Sequence, residues 1–358
     1  MTLTPFAAVV DVTAGRLLVA TVVVLAATAT VLAAVLVHAA VASVLQRRWA
    51  TRLPPLRRAL VAATLGTIST EAATDALRHT TRRERIRLLV AAGRSLTGAE
   101  RQRLHEVARH LGVVDQARRS CRSRAWYRRL HGVRLLQVVG GGRPVIPHLV
   151  ADRDAHVRRE AVRWLAERAD VDDVRLILQL ADRHDWLDEP SIVDALVTAG
   201  RTAIGPIRDY LAAPSGGVLP VLRAAAGVPD PAYVPGLAAL AQHPLSQVRT
   251  QVAHVAGAIG TDDARLILQR LLLDPVARVR RAAVDALTRN GDWRAAALVR
   301  AGLMDDDPRV RHSAALGLVR LGAAGLLLLR DAVRSGVEPA SSMAHQMIDR
   351  HQASAGGA

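Results

Sequence analysis

The chain has 358 residues, half of them apolar but only 3% aromatic, and it carries 48 basic against 32 acidic side chains, a formal excess of +16. Every base is an arginine, which excludes a lysine-dependent phosphate loop; the single Cys121 excludes an internal disulfide framework and any multi-cysteine zinc or iron–sulfur site. The length suits two or three ordinary domains or one elongated array, and the lysine-free, alanine- and arginine-rich composition is of the kind found in bacterial proteins from GC-rich genomes.

The charge is unevenly placed along the chain. Residues 1–45 hold only Asp11 and Arg16, residues 46–145 hold 22 Arg against six acids, and residues 146–358 hold 25 of each sign. The whole excess therefore lies in one block of 100 residues. Residues 1–16 read as a short extracytoplasmic N-terminus. Residues 17–45 contain no formal charge, and as a helix they would reach about 43 Å, against a hydrocarbon core of about 30 Å. A buried core helix rarely stays apolar all round for so long, and a cleavable signal has a shorter apolar stretch behind a basic start. The segment predicts one uncleaved transmembrane helix. Arg47, Arg48, Arg52, Arg57 and Arg58 follow it, with Trp49 placed as an interfacial anchor. Such a cluster resists translocation, so the expected topology is a single pass through the plasma membrane, N-terminus out and the remainder cytoplasmic.

Residues 46–123 read as a basic, helical juxtamembrane region. Thr97-Gly-Ala-Glu100 predicts a capping box opening a helix that ends near Gly112. A long helix is expected from Gln116 to about Val139, before the Gly140-Gly-Gly142 break.

From residue 124 to 351 the chain repeats with a period of 30–31 residues. One apolar series runs Ile146, Leu176, Ile207, Leu237, Ile267, Leu298, Leu328; a second runs Trp126, Val157, Asp188, Val218, Val248, Val279, Val310, Ser341. Two interleaved series at one spacing mean two elements per repeat. In Val279–Leu287 the apolar positions fall at i, i+4, i+5 and i+8, one helical face. Asp172, Asp173, Asp262 and Asp263 suit helix starts, and Gly200, Gly260, Gly291 and Gly322 suit helix ends. The fold class expected is all-α: a solenoid of helix pairs preceded by one transmembrane helix. Residues 352–358 are expected to fray as a disordered tail.

The best-kept copies, from Asp152, Asp274 and Asp305, carry D-x-x-x-x-V-R-x-x-A. These residues resemble HEAT repeats, in particular the short bacterial HEAT-like type found in phycobilisome lyases. The resemblance implies a structural Asp–Arg ladder in the turn between paired helices: Asp152 with Arg158, Asp274 with Arg280, and Asp305 with Arg311. His243 replaces the Asp before Arg249, which departs from the pattern. It also implies that second helices line the concave side. Positions i+2 and i+6 of those helices then face a partner-binding groove, with Arg159, Thr250, Arg281 and His312 in one row and Arg163, His254, Asp285 and Leu316 beside it.

No catalytic constellation emerges. His105 and His110 lie five apart, which is not a zinc-protease spacing, and no nucleophile elbow is present. Cys121 sits among Arg119, Arg122 and Arg124, which favour a thiolate, yet no neighbouring His serves as its base. The expectation is a membrane-anchored, non-catalytic scaffold without cofactor or metal, binding a protein partner and anionic lipid headgroups. The alternatives are a membrane-linked nucleic-acid binder using the arginines from Arg78 to Arg134, whose aromatics are only Trp126 and Tyr127, or a HEAT-like lyase or glycosylase.

Overall fold

The computed structural model describes residues 28–37, 54–93, 96, 98–183, 188–289 and 291–355. Among the described residues every regular element is an α- or 3-10 helix. No helix among them is long and apolar enough to cross a membrane. Most of the 17–45 segment, with Arg47, Arg48, Trp49 and Arg52, lies outside the described residues. Residues 28–37 are helical and exposed on every side.

The chain divides into two compact units, Met1–Asp115 with Val138–Gly140, and Gln116–Gln137 with Gly141–Ala358. In the first unit, helices 54–65, Thr70–Arg78, Arg82–Gly93 and Gly98–His110 bury Leu60, Leu77, Leu89, Leu104 and Val107. Ser69 caps the second of these, and Thr81 with Glu84 forms a reciprocal capping pair on the third. The fourth opens at Gly98 as its sequence signal requires, although Thr97 lies outside the described residues. Part of the arginine block is structural. Arg103 donates to the Thr64 carbonyl at 2.9 Å and Arg85 to that of Leu111 at 3.3 Å, whereas Arg57, Arg58, Arg82, Arg83 and Arg87 are exposed.

The second unit is an all-α solenoid of helix pairs. Its second helices are Trp126–Val139, Ala155–Ala166, Glu189–Ala199, Val218–Gly227, Ser246–Ile259, Ala277–Thr288, Pro308–Arg320 and Ala340–Ala355. From Ala155–Ala166 onward each packs on the next, and more closely than the first helices pack on one another. Small residues make that approach possible. A Cβ on Gly257 would lie 2.6 Å from the Ala286 methyl, and one on Gly317 would lie 2.6 Å from Thr288 Cγ2. The second-series Val157, Val218, Val248, Val279 and Val310 are all buried.

Several expectations change at the residue level. The helix expected from Gln116 to Val139 is two helices, Val113–Cys121 and Trp126–Val139, and the turn between them makes this the first helix pair. Trp126, aligned with core valines, is 45% exposed. In the first series Ile177, Val299 and Leu329 are buried where Leu176, Leu298 and Leu328 are half-buried, a one-residue drift of the helical face. The N-caps are Asp170 and Thr261, with Asp172, Asp173, Asp262 and Asp263 in the first turn behind them. Gly200, Gly260, Gly291 and Gly322 all take positive φ at helix ends. The last helix continues to Ala355, so the tail expected to fray from residue 352 begins as helix.

Candidate functional site

The feature that organises the array is a ladder of arginines along the turns. Arg129, Arg158, Arg249, Arg280 and Arg311 share one pose. In each, Nη1 donates to the two main-chain carbonyls six and five residues upstream; for Arg280 these are Asp274 at 2.8 Å and Pro275 at 3.2 Å. The opposite edge of the guanidinium reaches the next turn along. Arg129 grips Asp152 through Nε and Nη2 at 2.7 and 2.6 Å, Arg249 grips Asp274 at 2.6 and 2.9 Å, and Arg280 grips Asp305 at 2.7 and 2.8 Å.

The pairs implied by resemblance are bonded, but through the main chain rather than the carboxylate. Arg158, Arg280 and Arg311 bond the carbonyls of Asp152, Asp274 and Asp305, while the carboxylates of those acids bond main-chain N–H groups two residues on and, in the rungs above, the arginine of the preceding repeat. A bidentate, largely buried guanidinium–carboxylate pair is the strong form of this contact. Burial alone would raise the carboxyls of Asp152, Asp274 and Asp305; their arginine and main-chain hydrogen bonds outweigh it and hold all three below the ordinary range.

Arg129 is a rung the sequence reading missed. Counting one period back from Arg158 lands on Tyr127, because the first pair is two residues out of register. Its turn uses Ser123 in place of Asp, with Oγ accepting from Ala125 N at 3.3 Å. His243 does the same: Nδ1 accepts from Leu245 N at 3.1 Å, the task performed by Asp Oδ1 elsewhere.

The ladder is interrupted between these stretches. Glu189 and Leu219 stand where the arginine belongs. Asp182 instead ties its turn to the following one, accepting from Tyr210 Oη and Ser215 Oγ at 2.5 Å and from Gly217 N at 2.9 Å. Burial, and then the bond to Asp182, keeps the Tyr210 phenol protonated well above its usual range. A cavity of about 450 Å³ opens here, lined by Arg183, Glu189, Leu219, His243 and Val248 among others.

The proposed groove residues fall into two groups. Thr250 with His254, Arg281 with Asp285, and His312 with Leu316 lie on three consecutive second helices; Arg159 and Arg163 are separated from them by two intervening second helices. Arg159, Arg163, Arg281 and His312 are exposed. Much of their charge is locally balanced: Arg159 pairs with Asp188 at 3.0 Å, Arg163 with Glu167 at 3.6 Å, and Arg281 with Asp285 at 3.7 Å. Leu316, expected to be an exposed apolar contact, is half-buried, and Thr250 turns its hydroxyl back to the Ser246 carbonyl. Burial, then the charge of Arg289, lowers the His254 pKa, so this imidazole is neutral at neutral pH.

Cys121 is buried rather than activated. Desolvation pushes its thiol up to about 11, opposite to the lowering its arginine neighbours suggest. Among the described residues no group of His, Cys, Asp or Glu is arranged to hold a metal ion.

A family model described as HEAT repeats matches residues 220–287 and 267–341. A search of curated proteins finds no match. Among solved structures the chain is similar to an engineered protein, at 17% identity over 82% of this chain and 98% of that one with a TM-score of 0.39. It is similar to a Kap121p mutant at 11% identity over 82% of this chain and 41% of that one, with a TM-score of 0.49. It is also similar to the CpcE–CpcF complex of phycocyanin lyase from Nostoc sp. PCC7120, at 15% identity over 79% and 94%, with a TM-score of 0.26.

Proposed function

We propose that this chain is a non-catalytic scaffold, anchored by residues 17–45 in the plasma membrane with its N-terminus outside, whose HEAT-repeat array holds a protein partner at the cytoplasmic face. The observation that carries the reading is the second-helix layer. Its close packing over Gly257, Ala286, Thr288 and Gly317 makes it the inner layer of the array, and the Asp–Arg rungs fix its spacing. Exposed Arg159, Arg163, Arg281 and His312 then stand on a rigid, mixed-charge surface, which suits a protein better than a polyanion. The anchor is supported by the charge-free sequence of 17–45 and the arginines behind it. The non-catalytic reading is supported by Cys121, whose buried, protonated thiol is no nucleophile at neutral pH.

The test is capture by the full-length chain from solubilised membranes. Replacing Arg159, Arg163 and Arg281 together by Ala should change stability by no more than about 0.5 kcal/mol, since these are exposed ion pairs, while retention of the partner falls. Undiminished capture by this variant, with loss on changing the exposed first-helix residues Leu266 and Leu327 to Ser, would overturn the groove. Extraction of the chain by alkaline carbonate would overturn the anchor.

A further inference from the structure

We infer that the first turn of the array, Arg122–Arg128, is a docking element for an anionic membrane surface. This deepens the membrane reading above and rests on it. Trp126 and Tyr127 open the helix Trp126–Val139 with 45% and 56% of their surfaces exposed, at positions that the next second helix fills with the smaller or more polar Ala155 and His156, also exposed. Arg128 covers one of them and Arg119, Arg122 and Arg124 precede them closely in the chain, all four exposed and, among the described residues, none in an ion pair.

The contrast with the next turn shows what has been removed. There Asp152 and Asp154 supply a rung and an N-cap; the corresponding positions here are Ser123 and Ala125, and no acid lies in the first turn of the helix. Arginines thus crowd the positive end of a helix dipole while the carboxylate that reaches this turn, Asp152, is committed to Arg129, an arrangement an external anion would relieve. The turn is nevertheless rigid. Arg129 clamps the carbonyls of Ser123 and Arg124 at 3.0 and 2.8 Å and is itself fixed by Asp152.

The ring geometry favours a lipid surface over a nucleic acid. Tyr127 meets Trp126 edge-on, with centroids 6.3 Å apart at 86°, and His156 lies 6.0 Å from the same indole. Arg128 covers the Tyr127 ring at 5.9 Å. The flat faces on which a base would stack are therefore partly occupied. Exposed aromatic rings beside guanidinium groups are the combination that seats at headgroup level: aromatics in the interface and cations on lipid phosphates.

The experiment uses the full chain reconstituted in phosphatidylcholine vesicles with brominated acyl chains, with and without about one third phosphatidylserine, whose surface potential attracts clustered Arg. The emission of Trp126, isolated as the difference between wild type and Trp126→Phe, should be quenched with phosphatidylserine and recover at about 0.5 M salt, where the Debye length has shrunk to a few ångströms. Replacing Arg122, Arg124 and Arg128 together by Gln should abolish the quenching with helicity unchanged. Should the anchor reading fail and the chain not reconstitute, the same vesicles are added to the free protein and flotation is measured; the triple variant should then partition on the order of 100-fold more weakly. Equal quenching with and without phosphatidylserine, or quenching or partitioning unaffected by the triple variant, would overturn the inference. So would a triple variant that keeps vesicle binding but loses binding to a single-stranded oligonucleotide, which would assign the patch to nucleic acid.

Discussion

Two stretches of the same array solve one problem differently. From His243 to Arg311, each turn is bound to the next by a guanidinium that holds two carbonyls on one side and a carboxylate on the other. From Asp182 to Leu219 the arginines are missing, and neutral donors take over: a phenol, a hydroxyl and a main-chain N–H converge on Asp182. Helix pairing survives in both, because Val218, Val221, Leu222, Ala224 and Ala225 are as well buried as their counterparts in the regular stretch. The apolar faces therefore make the solenoid, and the ladder fixes the spacing along one edge. A cavity of about 450 Å³ lies beside His243 where the ladder is absent and one of about 620 Å³ beside the intact Arg280–Asp305 rung, so the missing rung is not what opens that edge.

The sharpest way to break the comparison is to cut a rung. Arg280→Ala leaves Asp305 largely buried, its side chain only 10% exposed, without its cation, and removes the donor to two turn carbonyls. A loss of about 3 kcal/mol is expected in denaturant unfolding, the range for breaking one partner of a buried pair. A comparable change in the interrupted stretch, Arg183→Ala at an exposed site, should cost less than about 1 kcal/mol.

Acid should discriminate next. Asp152, Asp274 and Asp305 titrate below the ordinary carboxylate value in the folded chain, so they bind fewer protons folded than unfolded. Their contribution is complete above about pH 4 and is lost as pH falls through the lowered folded values. The melting temperature should drop across that window, and Asp274→Asn should flatten the drop while lowering stability at neutral pH. An unchanged slope would mean that this rung does not govern acid unfolding.

The smallest effect comes from mending the gap. Leu219→Arg alone adds a half-buried cation without the aspartate of a rung, and His243→Asp alone trades one cap for another. Together they restore the rung spacing, 24 residues against the 23 and 25 of existing rungs. A double-mutant cycle should show favourable coupling of about 1 kcal/mol; zero coupling would mean that the turns around residues 213 and 243 stand too far apart for a guanidinium to bridge.

How much of this the sequence discloses depends on the range of the interaction. The period, the helix pairs and the residue types of the ladder follow from patterns within one repeat, so Asp274, Arg280 and Val279 are legible at once. Which aspartate meets which arginine is not, because Arg280 lies six residues from Asp274 and 25 from Asp305, and only the stacking of turns brings the farther one to its Nε. The turn at 122–125 was hidden for another reason. Arg-Ser-Arg-Ala contains no Gly, Pro or Asp, and the signal that ends the helix is the clamp of Arg129, two residues out of register. Asp182 stands one residue before the repeat's aspartate position, so the period does not single it out. Of the groove row, the exposed arginines were legible from helical periodicity; the half-burial of Leu316 was not, since it depends on a neighbouring helix.

Arg311 ends the ladder with half of its work undone. Nη1 holds the Asp305 and Asp306 carbonyls, but Nε is buried without a partner, and Gly336 stands where one more period would place an aspartate. The motif thus has a direction: each rung takes its donor from one repeat and its acceptor from the repeat after it. The repeat that follows, Ala323–Ser335 with Ala340–Ala355, therefore stacks on its predecessor without a rung, and a donor stands oriented there with its acceptor still to be supplied.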